Sequence, residues 1–186
     1  MESFDVLILA VEASIALAGF AGIIATFQFS GEKEIRRGNA VGLGLILESS
    51  LMATFTCSVA IVLFSFDIKE ATVWATTSVV AAAVQILGMY HGQQNSKGVE
   101  RTRSVGRLSA MLYIPGLCLI LLHALNVSDI FFHREAGPII ASIVYALGVA
   151  SYMFSRLLLQ PIWRNVRLQE AAKLADTTSG QVNNIR

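Results

Sequence analysis

Five stretches of the chain run apolar for about 20 residues or more, over 6–29, 40–66, 71–90, 108–127 and 136–159. Each is cut from the next by a short polar segment: Ser30-Gly31-Glu32-Lys33-Glu34 with Arg36-Arg37, then Asp67-Ile68-Lys69-Glu70, then 92–106, then 128–135. A bilayer core about 30 Å thick takes roughly 20 residues of helix to cross. Hydrocarbon offers no partner for backbone amides, so a spanning segment of this length satisfies them within a helix. The pattern therefore predicts an all-α, polytopic integral membrane protein of five transmembrane helices. Pro138 falls in the first turn of the last span, where the missing N–H removes no helical bond.

The domain reading follows from the same pattern: 1–160 as one five-helix membrane domain and 161–186 as a tail. After Pro161 the run Ile162-Trp163-Arg164-Asn165-Val166-Arg167 to Ala175 has helix formers with apolar positions on one side. Its Arg164, Arg167 and Lys173 suit anionic headgroups, so it is expected as a short amphipathic helix, frayed beyond Asp176. No loop is long enough to build a core of its own. The only internal echo, Ala13-Ser14-Ile15 against Ala141-Ser142-Ile143, is too short to indicate a repeat.

Composition agrees with the pattern. Hydrophobic residues make up 54% and charged residues 15%, with a mean hydropathy of +0.61, which excludes disorder and an ordinary soluble domain. A net charge of +1 provides no global field for nucleic acid, so membrane lipid is the expected surrounding partner. The distribution of charge says more than its sum. Five spans put twelve of the 14 Lys and Arg residues on one side, leaving Lys69 and Arg134 on the other. By the positive-inside rule the N-terminus is outside and the C-terminus inside, with Trp74 and Trp163 expected at the two interfaces. Short loops suit a bacterial cytoplasmic (inner) membrane. The first residues lack the basic start of a secretory signal, so the first span is expected to stay in the mature protein.

Candidate chemistry lies within the spans. Glu12 and Glu48 are carboxylates in apolar surroundings, roughly 10 Å and 12 Å from the nearer ends of their helices at 1.5 Å per residue. An ionisable group in hydrocarbon is expensive to hold and marks a functional candidate. Residues seven apart on a helix lie within about 20° of one another, and one such row reads Asp5, Glu12, Gly19, Thr26. Flanked by Ala16 and Ile23, it suits the wall of a narrow polar path. A second row at four-residue spacing, Ala10, Ser14, Ala18, Gly22, Thr26, is small throughout and suits close helix packing. Glu48 sits alone among Val41, Gly44, Leu51, Met52 and Phe55, and is expected as a neutral carboxylic acid able to pair with Glu12 or with a hydroxyl. Gln85, Tyr113, His123 and Tyr145 are read as helix contacts, with His123 also close enough to the outer end of its span to reach interfacial water, and His91 as a cap. Cys57 and Cys118 are read as small buried hydrophobes.

Catalytic templates are missing: the sequence holds no His-Glu-x-x-His, no phosphate loop, no dinucleotide fingerprint and no nucleophile with a base at matching depth. The three scattered histidines suggest no metal centre, and no cofactor is expected. The functional expectation is non-enzymatic: a homo-oligomeric, cation-favouring channel lined by the first helix. A scaffold that binds partner helices through the small-residue row is the first alternative. A proton-coupled transporter of small solutes using Glu12 and Glu48 is the second.

Overall fold

The computed structural model describes residues 2–29, 37–66, 68–95, 103–130 and 133–183. Five helices follow one another: α1 (Glu2–Phe29), α2 (Arg37–Phe64), α3 (Glu70–Asn95), α4 (Arg103–Val127) and α5 (Gly137–Asn183), and among the described residues there is no strand. Each contains a segment long and apolar enough to cross a membrane, which makes the chain an integral membrane protein. The helices run past the apolar stretches that predicted them, α3 to Asn95 and α4 back to Arg103. Hydropathy marks the part that lies in hydrocarbon. The backbone ladder continues for as long as good helix formers such as Gln94 and Arg107 extend it.

The chain forms two compact units, Met1–Phe154 and Ser155–Arg186. In the first, α1 packs along α2, α2 along α3 and α3 along α4. Short connections make these neighbours antiparallel. One core cluster unites four helices near the N-terminal end of the bundle: Leu7 and Ala10 of α1, Cys57 and Ala60 of α2, Trp74 of α3, and Ile139 and Ile143 of α5. A line of rings caps it. Phe4 meets Phe64 edge to face at 6.2 Å between centroids, and Phe64 meets Trp74 in the same way at 5.1 Å. Trp74 is therefore no interfacial anchor: only 2% exposed, it donates its indole N–H to Glu70 Oε1 at 3.0 Å. At the opposite end Phe20 of α1 lies against Phe154 of α5, with 6.5 Å between ring centroids.

The second unit is helical through Asn183. The backbone is helical through Pro161, where the tail was expected to begin, and on past Asp176, beyond which it was expected to fray. Trp163, Arg164, Arg167 and Lys173 lie on this helix, their side chains outside the described residues.

Large apolar side chains cover the outside of the bundle, among them Leu9, Ile15, Leu51, Val79, Met111, Leu117 and Val144. In water such a surface would aggregate, whereas lipid tails are its natural solvent. The inside carries polar groups instead: Ser14, Ser50, Thr77, Ser78, His123 and Asn126 are all buried. Hydrophobic burial cannot drive helix association within a bilayer, so contacts between helices rest on hydrogen bonds and close packing.

Candidate functional site

Three polar regions form in the first unit, in different settings. The first is the row on α1. Asp5, Glu12, Gly19 and Thr26 are all exposed on the chain's own surface, as are the flanking Ala16 and Ile23. The seven-residue spacing thus yields one face that stays exposed among the described residues. Glu12 lies nine residues into the span Ser3–Thr26, about 14 Å along it, close to mid-membrane. Among the described residues it makes no ion pair, and the Thr26 hydroxyl donates back to the Gly22 carbonyl at 3.0 Å.

The four-residue row is divided. Ala10 and Ser14 are buried, and Ser14 donates to the Ala10 carbonyl at 2.6 Å. Ala18 is half-buried and Gly22 exposed, and a Cβ added at either Gly19 or Gly22 would meet nothing within 4 Å. Within this chain, then, the close helix approaches lie elsewhere. A Cβ at Gly88 would come within 2.7 Å of Met52 Sδ and 3.5 Å of Glu48 Oε1. One at Gly116 would come within 3.3 Å of Gln85 Nε2, 3.4 Å of Met89 Sδ and 3.5 Å of the Tyr145 hydroxyl. Gly88 and Gly92 are four residues apart on α3, a small-xxx-small pair that the sequence displays and that reading for α1 alone overlooked.

The second region surrounds Glu48. Its carboxyl is half-buried and turned to α3 at Gly88, while Glu12 stands on the exposed face of α1. Glu48 lies at one end of a cleft of about 360 Å³ between α2 and α3, with Ala40, Val41, Gly44 and Leu45 on one wall and Gly92 and Gln94 on the other. Tyr113 and His91 are within electrostatic reach of the carboxyl, and Tyr145 within reach of Tyr113. Tyr113 donates to the Met89 carbonyl at 3.4 Å, and Tyr145 donates to the Leu112 carbonyl. Pro115 inside α4 lacks an N–H, which leaves the Met111 carbonyl, four residues back, without its helical donor; the Leu112 carbonyl that Tyr145 reaches is the next one along.

The third region is buried between α3, α4 and α5. His123, fully buried rather than near interfacial water, is bonded through Nε2 to Ser142 Oγ at 2.7 Å. One turn on, Asn126 donates to Ser78 Oγ at 2.8 Å and to the Glu135 carbonyl at 3.1 Å, and accepts from the Glu135 N–H at 3.0 Å. Among the described residues, the buried atoms Ser50 Oγ, Thr77 Oγ1 and His123 Nδ1 have no hydrogen-bond partner. The sequence reading did not single out Asn126. Its signal was an amide one residue before the end of an apolar run, the depth at which a side chain can hold both a neighbouring helix and the following loop.

Other expectations divide. Cys57 is buried as expected, but Cys118 is exposed on the outer face of α4. His91 is exposed, and α3 continues for four residues beyond it. Among the described residues no group of three or more His, Cys, Asp or Glu side chains could hold a metal ion. The fold and these sites define a five-helix integral membrane protein with polar groups on its outer α1 face and in a cleft between α2 and α3. Comparison of the chain with known protein families, curated proteins and solved structures gives no match.

Proposed function

We propose that this chain is the subunit of a homo-oligomeric, cation-favouring pore whose path is lined by α1. The observation that carries the reading is the exposure of the whole row Asp5, Glu12, Gly19 and Thr26. A carboxyl near mid-membrane is expensive against lipid and is met in proteins that surround it with protein or water. This chain leaves Glu12 uncovered, and symmetry-related copies of α1 would enclose it around an axis. Asp5 and Glu12 then form acidic rings that concentrate cations, Gly19 and Ile23 form the constriction, and Thr26 lines the exit. The basic bias of the loops orients the N-terminus outward and the C-terminus inward, in a bacterial cytoplasmic membrane.

The test is cation flux into proteoliposomes, comparing wild type with Glu12→Gln. The pore reading expects wild-type flux and a fall of tenfold or more, or a change in selectivity, in the variant, with an unchanged oligomer by size exclusion. Absence of wild-type flux under every cation gradient would overturn it.

One observation favours a second reading, a non-enzymatic scaffold or accessory protein. Gly19 and Gly22 are exposed with open space around them, so this half of α1 could seat a partner's helix at close range. Here Gly22→Leu would dissolve a membrane complex and Glu12→Gln would leave it intact.

A further inference from the structure

The cleft between α2 and α3 lies apart from the α1 face and has a chemistry of its own. Its α2 wall runs from Ala40 through Gly44 to Glu48, eight residues or about 12 Å of helix. Ala40 and Gln94, at the ends of their helices, are exposed, so the cleft opens at the end of the bundle opposite Phe4 and Trp74. Among the described lining residues Glu48 is the one acid, and the others are apolar or glycine apart from the Gln94 amide. Gly44 keeps one wall open, with nothing within 4 Å of an added Cβ.

We propose that this cleft binds a small organic cation, a protonated amine with a short apolar body, through Glu48. The volume, about 360 Å³, is within the range of small-molecule pockets, which combine mostly apolar walls with a few polar groups that fix orientation. A bare inorganic cation fits poorly. Calcium takes six to eight oxygen ligands and magnesium a near-octahedral six, and the cleft offers one carboxyl and one amide. An anion would meet the negative end of Glu48, with no basic side chain among the described lining residues. An alkylammonium matches both features: its charge pairs with Glu48 at the closed end, and its carbon chain covers Val41 and Leu45. An opposite charge at about 4–6 Å favours the ionised carboxyl, so ligand and acid stabilise one another. Among the described residues His91 and Tyr113 are also within electrostatic reach of that carboxyl; neither adds a second negative charge, and the positive form of His91 is the rival that a cationic ligand displaces.

The probe is n-butylammonium, titrated calorimetrically into the full-length protein in lipid nanodiscs, with n-butanol and potassium as comparison ligands. Saturable binding is expected in wild type, weakened at least tenfold by Glu48→Gln and abolished by Gly44→Leu, which fills the cleft from a position where no neighbour is displaced. Circular dichroism and elution volume verify that both variants fold. The proposal is overturned by absence of saturable binding in wild type, by unchanged affinity in folded Glu48→Gln, by equal binding of n-butanol, or by displacement of the probe with equimolar potassium. Because the site lies within one chain, these outcomes are independent of whether α1 conducts.

Discussion

Asn126 makes three hydrogen bonds in the interior of the bundle. With one amide it reaches Ser78 on α3 and both backbone groups of Glu135, closing the α4–α5 connection onto the helix that precedes it. That connection contains strained backbone: Asp129, His133 and Arg134 have φ of 60°, 45° and 59°, in the left-handed region that favours glycine. The exposed His133–Asp129 contact at 3.7 Å adds little to hold it, being solvent-facing. Asn126 is thus the tether. Hydrogen bonds inside membrane proteins average roughly 0.6 kcal/mol each, so removing three predicts a loss of about 2 kcal/mol for Asn126→Leu. Reversible unfolding by SDS in bicelles would measure it, and a loss below about 0.5 kcal/mol would show that the loop is held otherwise.

Among the elements, α4 is the one whose irregularity is put to use. Pro115 leaves the Met111 carbonyl without its helical donor, Gly116 beside it lets Gln85, Met89 and Tyr145 come close, and the Tyr145 hydroxyl reaches the Leu112 carbonyl. Gly116→Leu should separate α3, α4 and α5 and destabilise the bundle by about 2 kcal/mol or more, the usual scale of overpacking. Gly44→Leu, placed in open space, should change stability by less than about 0.5 kcal/mol, as a surface substitution does. The same unfolding assay separates the two, and equal losses would refute the assignment of close packing to Gly116. On α1 the contrast lies between its faces. Leu7, Ala10, Ser14 and Ala21 turn inward, while Asp5, Glu12, Gly19 and Thr26 turn outward.

On the scale of the whole molecule, that outward face bears on assembly. If copies of the chain meet through α1, a cysteine at Gly19 in a Cys57→Ala, Cys118→Ala background should form an oxidative dimer in membranes. A cysteine at Leu117, on the lipid-facing side of α4, should form much less. Equal crosslinking at both positions would count against an α1 interface. Gly19 and Leu117 both lie on exposed surface, and the loss of the Cys57 sulfur from the core is common to the two variants, so it does not bias their comparison.

The number of helices and their membrane character were legible in the sequence because a bilayer imposes one length and one solvent on every span, and local composition registers both. The polar row on α1 was legible for a similar reason: helical period is local, so residues seven apart share a face whatever surrounds them. Tertiary structure decided what each face meets. It put Trp74 inside, Cys118 outside and His123 against Ser142, and it left open space at Gly22 while bringing other side chains close to Gly88 and Gly116. It also turned Glu48 toward α3 at the end of a cleft instead of leaving it alone on an apolar stripe. None of this could be read locally, since the rotation of each helix about its axis is fixed by residues far apart in the chain, and an apolar face toward lipid looks the same in sequence as one toward another helix.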